Sequence, residues 1–409
     1  MNPPPLTRKR SFIVTLGLLT GLAALTVDIS LPAIPAMVDA LATTLPRGQQ
    51  IVGVFMAGMA CGQIPAGLFS DRLGRLPVLY VGMTLFTIGA IIAAAADDVG
   101  VLLAARFLQG FGSASAVVLS RAIVRDIASG KEAARLMSLM TMIFTAAPVI
   151  APSIGALLVA QWGWRAPFVL IVVVSVMLLL AVRGNITETH VPSADEHPLR
   201  QLLSSFSEFF SHRQSIFGLL LIILLPLGFM PVITVSAALV VEVYGFSVQA
   251  YGLIFACAGL SILIGAATNR MLVARFDMMQ LLTLGVSLIA ISGAQLLLIA
   301  WLDRAPFWWL WGNVCLFMFT VAIMLPNATV VALDPLPRIA GVASSIIGTV
   351  QNLVAAISAI TGALIYNGSV RNSVLIIGMS GALTALVFLL KPLLAPGPFL
   401  HHPDELARS

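Results

Sequence analysis

Residues 166–183 read APFVLIVVVSVMLLLAVR, an apolar run with no charged side chain before its final arginine. A helix needs about 20 apolar residues to cross the hydrocarbon core of a bilayer. The whole chain of 409 residues has this character, because 59% of it is hydrophobic and only 10% is charged. A soluble globular protein carries roughly 25% charged residues. The composition therefore excludes the soluble, disordered and disulfide-stapled classes and indicates a membrane protein.

Eleven further apolar runs of spanning length occur along the chain. They leave no room for a sizeable soluble domain, and their continuity favours helices over the alternating segments of about ten residues found in outer-membrane barrels. The first run follows a basic N-terminus, but it is too long for a signal peptide and lacks a small-residue cleavage site. We expect an all-α integral membrane protein with 12 transmembrane helices, at 12–37, 51–70, 77–96, 100–120, 137–160, 166–183, 216–240, 250–269, 279–301, 307–331, 341–366 and 373–395.

The basic residues are distributed unequally between the two sides of the membrane. Seventeen of the 22 fall on the side of the N-terminus, and one lies within a span. Because basic loops stay in the cytoplasm, this bias predicts that both termini are cytoplasmic. It also explains the net charge of +5 without a nucleic-acid partner. The opposite side holds only Arg47, Arg165, Arg304 and Arg371.

The longest polar connection divides the spans six and six. It predicts an N-terminal bundle at 1–184, a cytoplasmic linker at 185–214, a C-terminal bundle at 215–395 and a cytoplasmic tail at 396–409. The first part of the linker is typical of a flexible segment, and 199–212 has the apolar spacing of an amphipathic helix on the membrane surface. Gly67-Leu-Phe-Ser-Asp71-Arg72 is echoed by Gly265-Ala-Ala-Thr-Asn269-Arg270, which indicates two parallel repeats.

Two charged residues lie deep within spans, Asp28 in the first and Arg106 in the fourth. Counted from the span ends, their depths agree within about one helical turn. A charge in the membrane is costly and is by default a sign of function. An acid whose counter-ion or access to water changes between two conformations can load and release a proton. The alternative is a static Asp28–Arg106 ion pair that only orients two helices.

Proline and glycine mark two places where helices bend or pack closely. Pro32 and Pro35 remove backbone donors soon after Asp28, so we expect the first helix to kink or break there. Pro148, Pro152 and Gly155 share one face of the fifth helix. This face is interpreted as a hinge or a close-packing seam, and the alternative is the ordinary tolerance of proline in spanning helices.

No catalytic constellation occurs in the sequence. All five histidines lie in the central linker or the tail, the three cysteines lie within spans, and no metal spacing or phosphate-binding loop is found. We therefore expect neither an enzyme nor a bound metal or cofactor. An energised pump built this way, without a nucleotide site, would have to draw its energy from an ion gradient.

The sequence resembles the major facilitator superfamily over nearly its whole length. Two motifs carry the resemblance, one in the loop between helices two and three and one on helix four. The first consists of Gly67, Asp71, Arg72, Gly74 and Arg75, and the second of Arg106, Gln109, Gly110 and Gly112.

Four further segments resemble the bicyclomycin/chloramphenicol-resistance (Bcr/CflA-type) group of drug–proton antiporters: 28–35 on helix one, 148–155 on helix five, Pro326-Asn327 on helix ten and 340–344 on helix eleven. Ser30 stands where the group usually has a tyrosine, and Leu76 replaces a common basic residue. The resemblance implies an inner-membrane, monomeric exporter with two six-helix pseudo-repeats, which exchanges an amphiphilic drug for a proton by alternating access.

The resemblance also implies roles for individual residues. Asp28 would bind the proton with help from Arg106, and Asp71 with its arginines would latch the halves at the eleventh helix. A proton-coupled metabolite transporter, for example for a sugar, is the nearest alternative, followed by a gated channel and by a receptor or structural protein. Candidate walls of a drug cavity are Phe55, Met56, Met59, Phe229, Met230 and Asn327.

Overall fold

A computed structural model of the protein describes residues 10–128, 130–190, 198–302 and 305–396. All regular structure within these ranges is helical, and 12 helical segments are long and apolar enough to cross a membrane. Both findings confirm the predicted fold class. The predicted tail beyond residue 396 and part of the predicted flexible linker, 191–197, lie outside the described residues.

The helices of the first half, in chain order, include the first six spans. They are α1 (Arg10–Asp28), α2 (Ile34–Ala40), α3 (Leu45–Leu73), α4 (Arg75–Ala95), α5 (Val99–Ile127), α6 (Gly130–Trp162) and α7 (Ala166–Asn185). The helices that follow are α8 (Pro198–Ser211), α9 (Arg213–Ala238), α10 (Val248–Leu272), α11 (Met278–Leu302), α12 (Phe307–Leu333), α13 (Ala340–Ile365), α14 (Val370–Leu389) and α15 (Lys391–Leu394).

The contacts group the chain into two compact units. The first contains Met1–Glu196 together with Ser236–Gly259, and the second contains His197–Val235 together with Leu260–Ser409. The end of α9 and the start of α10, with the loop between them, thus belong to the first unit. We call this segment, Ser236–Gly259, the α9–α10 hairpin. The domain boundaries expected from the sequence assign the hairpin to the C-terminal bundle, and that assignment stays a prediction.

The first span is broken directly after Asp28. Regular helix α1 ends there, a short 3-10 turn covers Leu31–Ala33, and α2 begins at Ile34. Proline cannot donate its backbone nitrogen and disfavours helix in the residue before it, so Pro32 and Pro35 account for the break. The break expected from the sequence is confirmed, and it leaves Asp28 at a helix end.

Helix α8 lies at the place in the linker where the sequence predicts an amphipathic helix. Phe209 is fully buried, whereas Leu203, Phe206 and Phe210 are 65%, 42% and 39% exposed. Glu208 lies 3.4 Å from Arg338, which is two residues before the start of α13. The placement of α8 on a membrane surface stays a prediction.

Candidate functional site

Asp28 is a buried carboxylic acid in the first unit, with 6% of its surface exposed. Gly17 and Gly21 precede it along α1 and lie against Ile143 and Phe144 of α6. These small residues let the two helices approach closely. Among the described residues, none bonds to the Asp28 carboxyl, and no cation lies within 4.0 Å of it.

The chain beside Asp28 is in contact with the fifth-helix motif. Gly155 of α6 lies so close to the backbone of Ile29 that a Cβ at this position would be 3.0 Å from the Ile29 carbonyl carbon. Ser30, which stands where the group that the sequence resembles usually has a tyrosine, is fully buried and donates its hydroxyl to the carbonyl of Val27 at 2.7 Å. The hydroxyl of Ser30 is therefore bonded to the end of α1.

Tyr251 of the α9–α10 hairpin is a residue near Asp28 that sequence reasoning missed. Its side chain is fully buried, its hydroxyl lies 2.8 Å from the Ser236 hydroxyl, and it is within electrostatic reach of Asp28. The only signal in the sequence is a tyrosine in an otherwise apolar span, since the chain has four tyrosines in all.

Arg106 of α5 is the largest fully buried side chain among the described residues. Its Nε donates to the carbonyl of Ile51 at 3.3 Å, and its Nη1 donates to Oε1 of Gln109 at 3.1 Å. The guanidinium carbon lies 4.7 Å from the ring centroid of Phe55 and 5.8 Å from that of Phe168. Nη2 has no hydrogen-bond partner among the described residues. The charge is thus held by a carbonyl, an amide and two aromatic rings.

The static Asp28–Arg106 ion pair is wrong for this structure. A bond of 2.9 Å between the hydroxyls of Thr20 and Ser120 fixes the register of α1 against α5. Because these spans run in opposite directions, that register leaves Asp28 and Arg106 six residues apart along the axis, or about 9 Å at 1.5 Å per residue. The side chains also diverge, since each leans toward the N-terminus of its own helix. Asp28 and Arg106 therefore differ in depth by more than the one helical turn expected from the sequence.

The fourth-helix motif positions α5 against two neighbours. Gly110 faces α3, where a Cβ would lie 3.0 Å from the nitrogen of Met59 and still closer to the carbonyl oxygen of Phe55. Gly112 faces α4 at the backbone of Phe86, where a Cβ would lie 2.5 Å from the nitrogen. The methylene of Gln109 occupies the space left by Gly89. The motif therefore lets α5 contact the backbones of α3 and α4, which brings Arg106 to the Phe55 ring.

The fifth-helix motif forms a close-packing seam with the α9–α10 hairpin. A Cβ at Gly259 would lie 2.6 Å from the carbonyl carbon of Pro148, and one at Gly252 would lie 2.9 Å from Cα of Ser153. The Ser153 hydroxyl donates to the carbonyl of Gly252 at 3.1 Å. Helix α6 continues through Pro148 and Pro152. The seam is present, whereas a hinge at this place stays a prediction.

The loop signature forms a charged cluster at the junction of α3 and α4. Arg75 bonds to Asp71, to Oδ2 of Asp126 at 2.9 Å and to the hydroxyl of Ser70 at 2.9 Å. Gly74 has φ +96°, in the left-handed region that favours glycine. Two residues of the signature lie outside this charged cluster. The side chain of Arg72 is exposed, and a Cβ at Gly67 would have no atom within 4 Å. The predicted latch at the eleventh helix stays a prediction.

Glu188, which sequence reasoning missed, caps the N-terminus of α4. Its carboxylate accepts the backbone N–H groups of Arg75 at 2.8 Å and Leu76 at 2.9 Å, and those of Thr189 and His190 at 3.1 Å. Partial burial raises the pKa of Glu188, but the four N–H donors outweigh it and hold the pKa below its ordinary value. The expected flexible linker is thus fixed to the loop signature through residues 186–190.

The candidate cavity residues are divided between the units. Met56 and Met59 are buried in the first unit, and Phe229 and Met230 are partly buried in the second. Two candidates have other contacts, since the ring of Phe55 faces Arg106 and the amide of Asn327 donates to Asn269 at 2.8 Å and to the Ile323 carbonyl at 2.7 Å. A role of the six residues in a drug cavity stays a prediction. The described residues contain no group of three or more potential metal ligands.

Comparisons with known proteins place the chain among transporters. Residues 16–359 match the family model described as Major Facilitator Superfamily. The chain is 30% identical over 356 residues to a bicyclomycin resistance protein homolog of Haemophilus influenzae, covering 87% of this chain and 88% of the relative. It is 27% identical over 382 residues to multidrug resistance protein D of Escherichia coli, covering 93% and 96%.

Solved structures show the same fold at lower identity. The crystal structure of a D-xylose-proton symporter has a TM-score of 0.77 and 19% identity, covering 92% of this chain and 96% of that one. An inward-facing bacterial homolog of the human lysosomal transporter Spinster has a TM-score of 0.72 and 15% identity, covering 96% and 97%. At these identities the likeness supports the fold alone.

Proposed function

Because the chain belongs to the Major Facilitator Superfamily, with relatives of the Bcr/CflA type, and is a non-enzymatic transport protein, we propose that it exports amphiphilic drug-like molecules in exchange for protons. The names of the relatives support a drug-like substrate. The D-xylose-proton symporter shares the fold at only 19% identity, and this likeness does not favour a sugar as the substrate of this chain.

One observation carries the proton-coupled part of the proposal. Asp28 is a buried acid with no cation within 4.0 Å among the described residues, and it lies at a helix break, where Gly155 of α6 contacts Ile29 and Tyr251 of the α9–α10 hairpin is within electrostatic reach. A carboxyl in this position binds a proton without having to break an ion pair. Access to it depends on neighbouring segments, which is the property that alternating access requires.

We propose that the transport cycle uses this arrangement as follows. A proton from outside binds the Asp28 carboxylate, the drug leaves outward, and loss of the proton to the cytoplasm resets the protein. The proton gradient supplies the energy, and neither a metal nor an organic cofactor takes part. We place the protein as a monomer in the bacterial inner membrane with both termini in the cytoplasm, an orientation supported by the excess of basic residues on that side.

The test compares Asp28→Asn with Asp39→Asn, which removes an exposed acid from the same span. In everted vesicles, we expect Asp28→Asn to lose both drug transport and drug-stimulated proton release. Asp39→Asn should keep both. Full export with intact proton coupling in Asp28→Asn would overturn the proposal. A strain that gains no resistance to any drug, but accumulates or loses a metabolite, would point to the metabolite transporter instead.

A further inference from the structure

Arg106 is a fully buried cation without a carboxylate within 4.0 Å among the described residues. A buried charge without compensation is strongly destabilising. In this structure the compensation comes from the carbonyl of Ile51, the amide oxygen of Gln109 and the faces of Phe55 and Phe168. Aromatic faces attract a desolvated guanidinium through the negative potential above the ring.

The geometry of α3 explains why the guanidinium stays where it is. Ile51 and Phe55 are four residues apart, so the carbonyl and the ring lie on the same side of α3. Gly110 brings α5 against the backbone of Phe55, one turn beyond Arg106. Phe168 of α7 approaches the same guanidinium carbon. All these contacts hold Arg106 toward the end at which α3 and α5 begin, about 9 Å along the axis from Asp28.

We propose that Phe55 and Phe168 are positioning residues for proton coupling. Their rings, here called the aromatic clamp, hold the guanidinium of Arg106 clear of Asp28, so that the carboxyl gains and loses its proton without a fixed counter-ion. The inference rests on the proposed function in taking Asp28 as the proton-binding group. If the clamp is opened, the guanidinium is free to turn toward Asp28 and to stabilise the carboxylate.

Other ionisable groups on the helices around Asp28 and Arg106 do not take the place of the aromatic clamp. Tyr251 is near Asp28, but its hydroxyl is bonded to Ser236. Arg165, near the start of α7, is paired with Asp97. The remaining charged groups with described side chains lie at the ends of the helices concerned or one to two turns inside them: Asp39, Arg47, Asp71, Arg72, Arg75, Asp98, Arg121, Arg125, Asp126, Glu132, Arg135, Arg183 and Glu242.

The test is an infrared titration of the purified full-length protein in lipid. The carboxylic-acid band of Asp28 is identified by its loss in Asp28→Asn, and its midpoint is followed with pH. We expect Phe55→Leu to move the midpoint about one pH unit to the acid side, because a cation within 4–6 Å favours the carboxylate by about 1–3 units. Phe55→Tyr keeps the ring and should restore the wild-type midpoint.

The control is Phe86→Leu, because Phe86 is also fully buried in the first unit and makes no aromatic contact with Arg106. Its midpoint should equal that of the wild type. The ring of Phe168 lies farther from the guanidinium than that of Phe55, so Phe168→Leu should give a smaller shift of the midpoint in the same direction. This variant replaces Phe55→Leu in the test if Phe55→Leu does not fold.

Two outcomes would overturn the clamp: an unshifted midpoint in Phe55→Leu and Phe168→Leu, or an equal shift in Phe86→Leu. The proposed function would survive both, provided that the band itself titrates in the wild type. If the wild type shows no titrating band that Asp28→Asn removes, the proposed function fails instead.

Discussion

Removing the carboxylate of Glu188 should loosen the start of α4 without unfolding the rest of the protein. The two oxygens accept the N–H groups of Arg75 and Leu76 at 2.8 and 2.9 Å, donors that a helix N-terminus otherwise leaves unpaired. Loss of a capping side chain costs about 1 kcal/mol, and loss of a negative charge at a helix N-terminus costs roughly 0.3–1 kcal/mol. The two costs add, and because the Glu188 side chain is exposed to solvent we use a value near the lower end of their sum, about 1.4 kcal/mol.

The assay is amide hydrogen exchange of Glu188→Ala in detergent or lipid. A free-energy change of about 1.4 kcal/mol corresponds to a tenfold change in the opening equilibrium, so the amides of Arg75 and Leu76 should exchange about ten times faster. The control is Asp98→Ala, which removes the cap of α5 from Gly100 and Val101 at 2.7 and 3.1 Å. It should speed exchange at those two amides and leave α4 unchanged.

The same cap predicts a dependence on pH. The pKa of Glu188 is lower in the folded protein than its ordinary value. The stabilisation is therefore fully present above the ordinary glutamate pKa and is lost as the pH falls through the lowered one. Protection of Arg75 and Leu76 should decline on the acid side in the wild type and stay low at every pH in Glu188→Ala. Wild-type exchange at these amides in Glu188→Ala would refute the capping role.

Two further predictions concern glycines. Gly259→Leu should lower the thermal unfolding temperature by an amount equivalent to about 1–3 kcal/mol, because its Cβ would lie 2.6 Å from the backbone of Pro148. The control is Gly312→Leu, because a Cβ at Gly312 would have no atom within 4 Å, and equal stability of the two variants would contradict the seam. Gly74→Ala should lower the unfolding temperature by the equivalent of about 1–3 kcal/mol, because φ +96° and ψ 162° lie in a region that is essentially restricted to glycine. Gly67→Ala, inside α3 and with nothing within 4 Å, should not lower it, and the reverse order would refute this.

The sequence predicts those features that depend on composition and on local backbone chemistry. The twelve spans follow from apolar runs, and the break after Asp28 follows from Pro32 and Pro35. Gly155 shares a face with two prolines, and this pattern correctly indicates close packing. These features need no knowledge of how one helix is rotated against another.

The partners of Arg106 and the cap of α4 could not be predicted in this way. The rotation of α5 decides whether the guanidinium faces Asp28 or the ring of Phe55, and a sequence position does not reveal that rotation. The groups that bind Glu188 and Arg106 include backbone N–H and C=O groups, which every residue carries. No residue type therefore marks Ile51 or Leu76 as a partner.

The contact between α3 and α5 also limits how the protein can move. Gly58, Gly62 and Gly110 bring the two backbones together without intervening side chains. Interlocked surfaces of this kind do not slide past each other without collisions, so the pair travels as one rigid body. In the proposed transport cycle we therefore expect Arg106 and Phe55 to keep their geometry, and changes in the surroundings of Asp28 to come from α1, α6 and the α9–α10 hairpin.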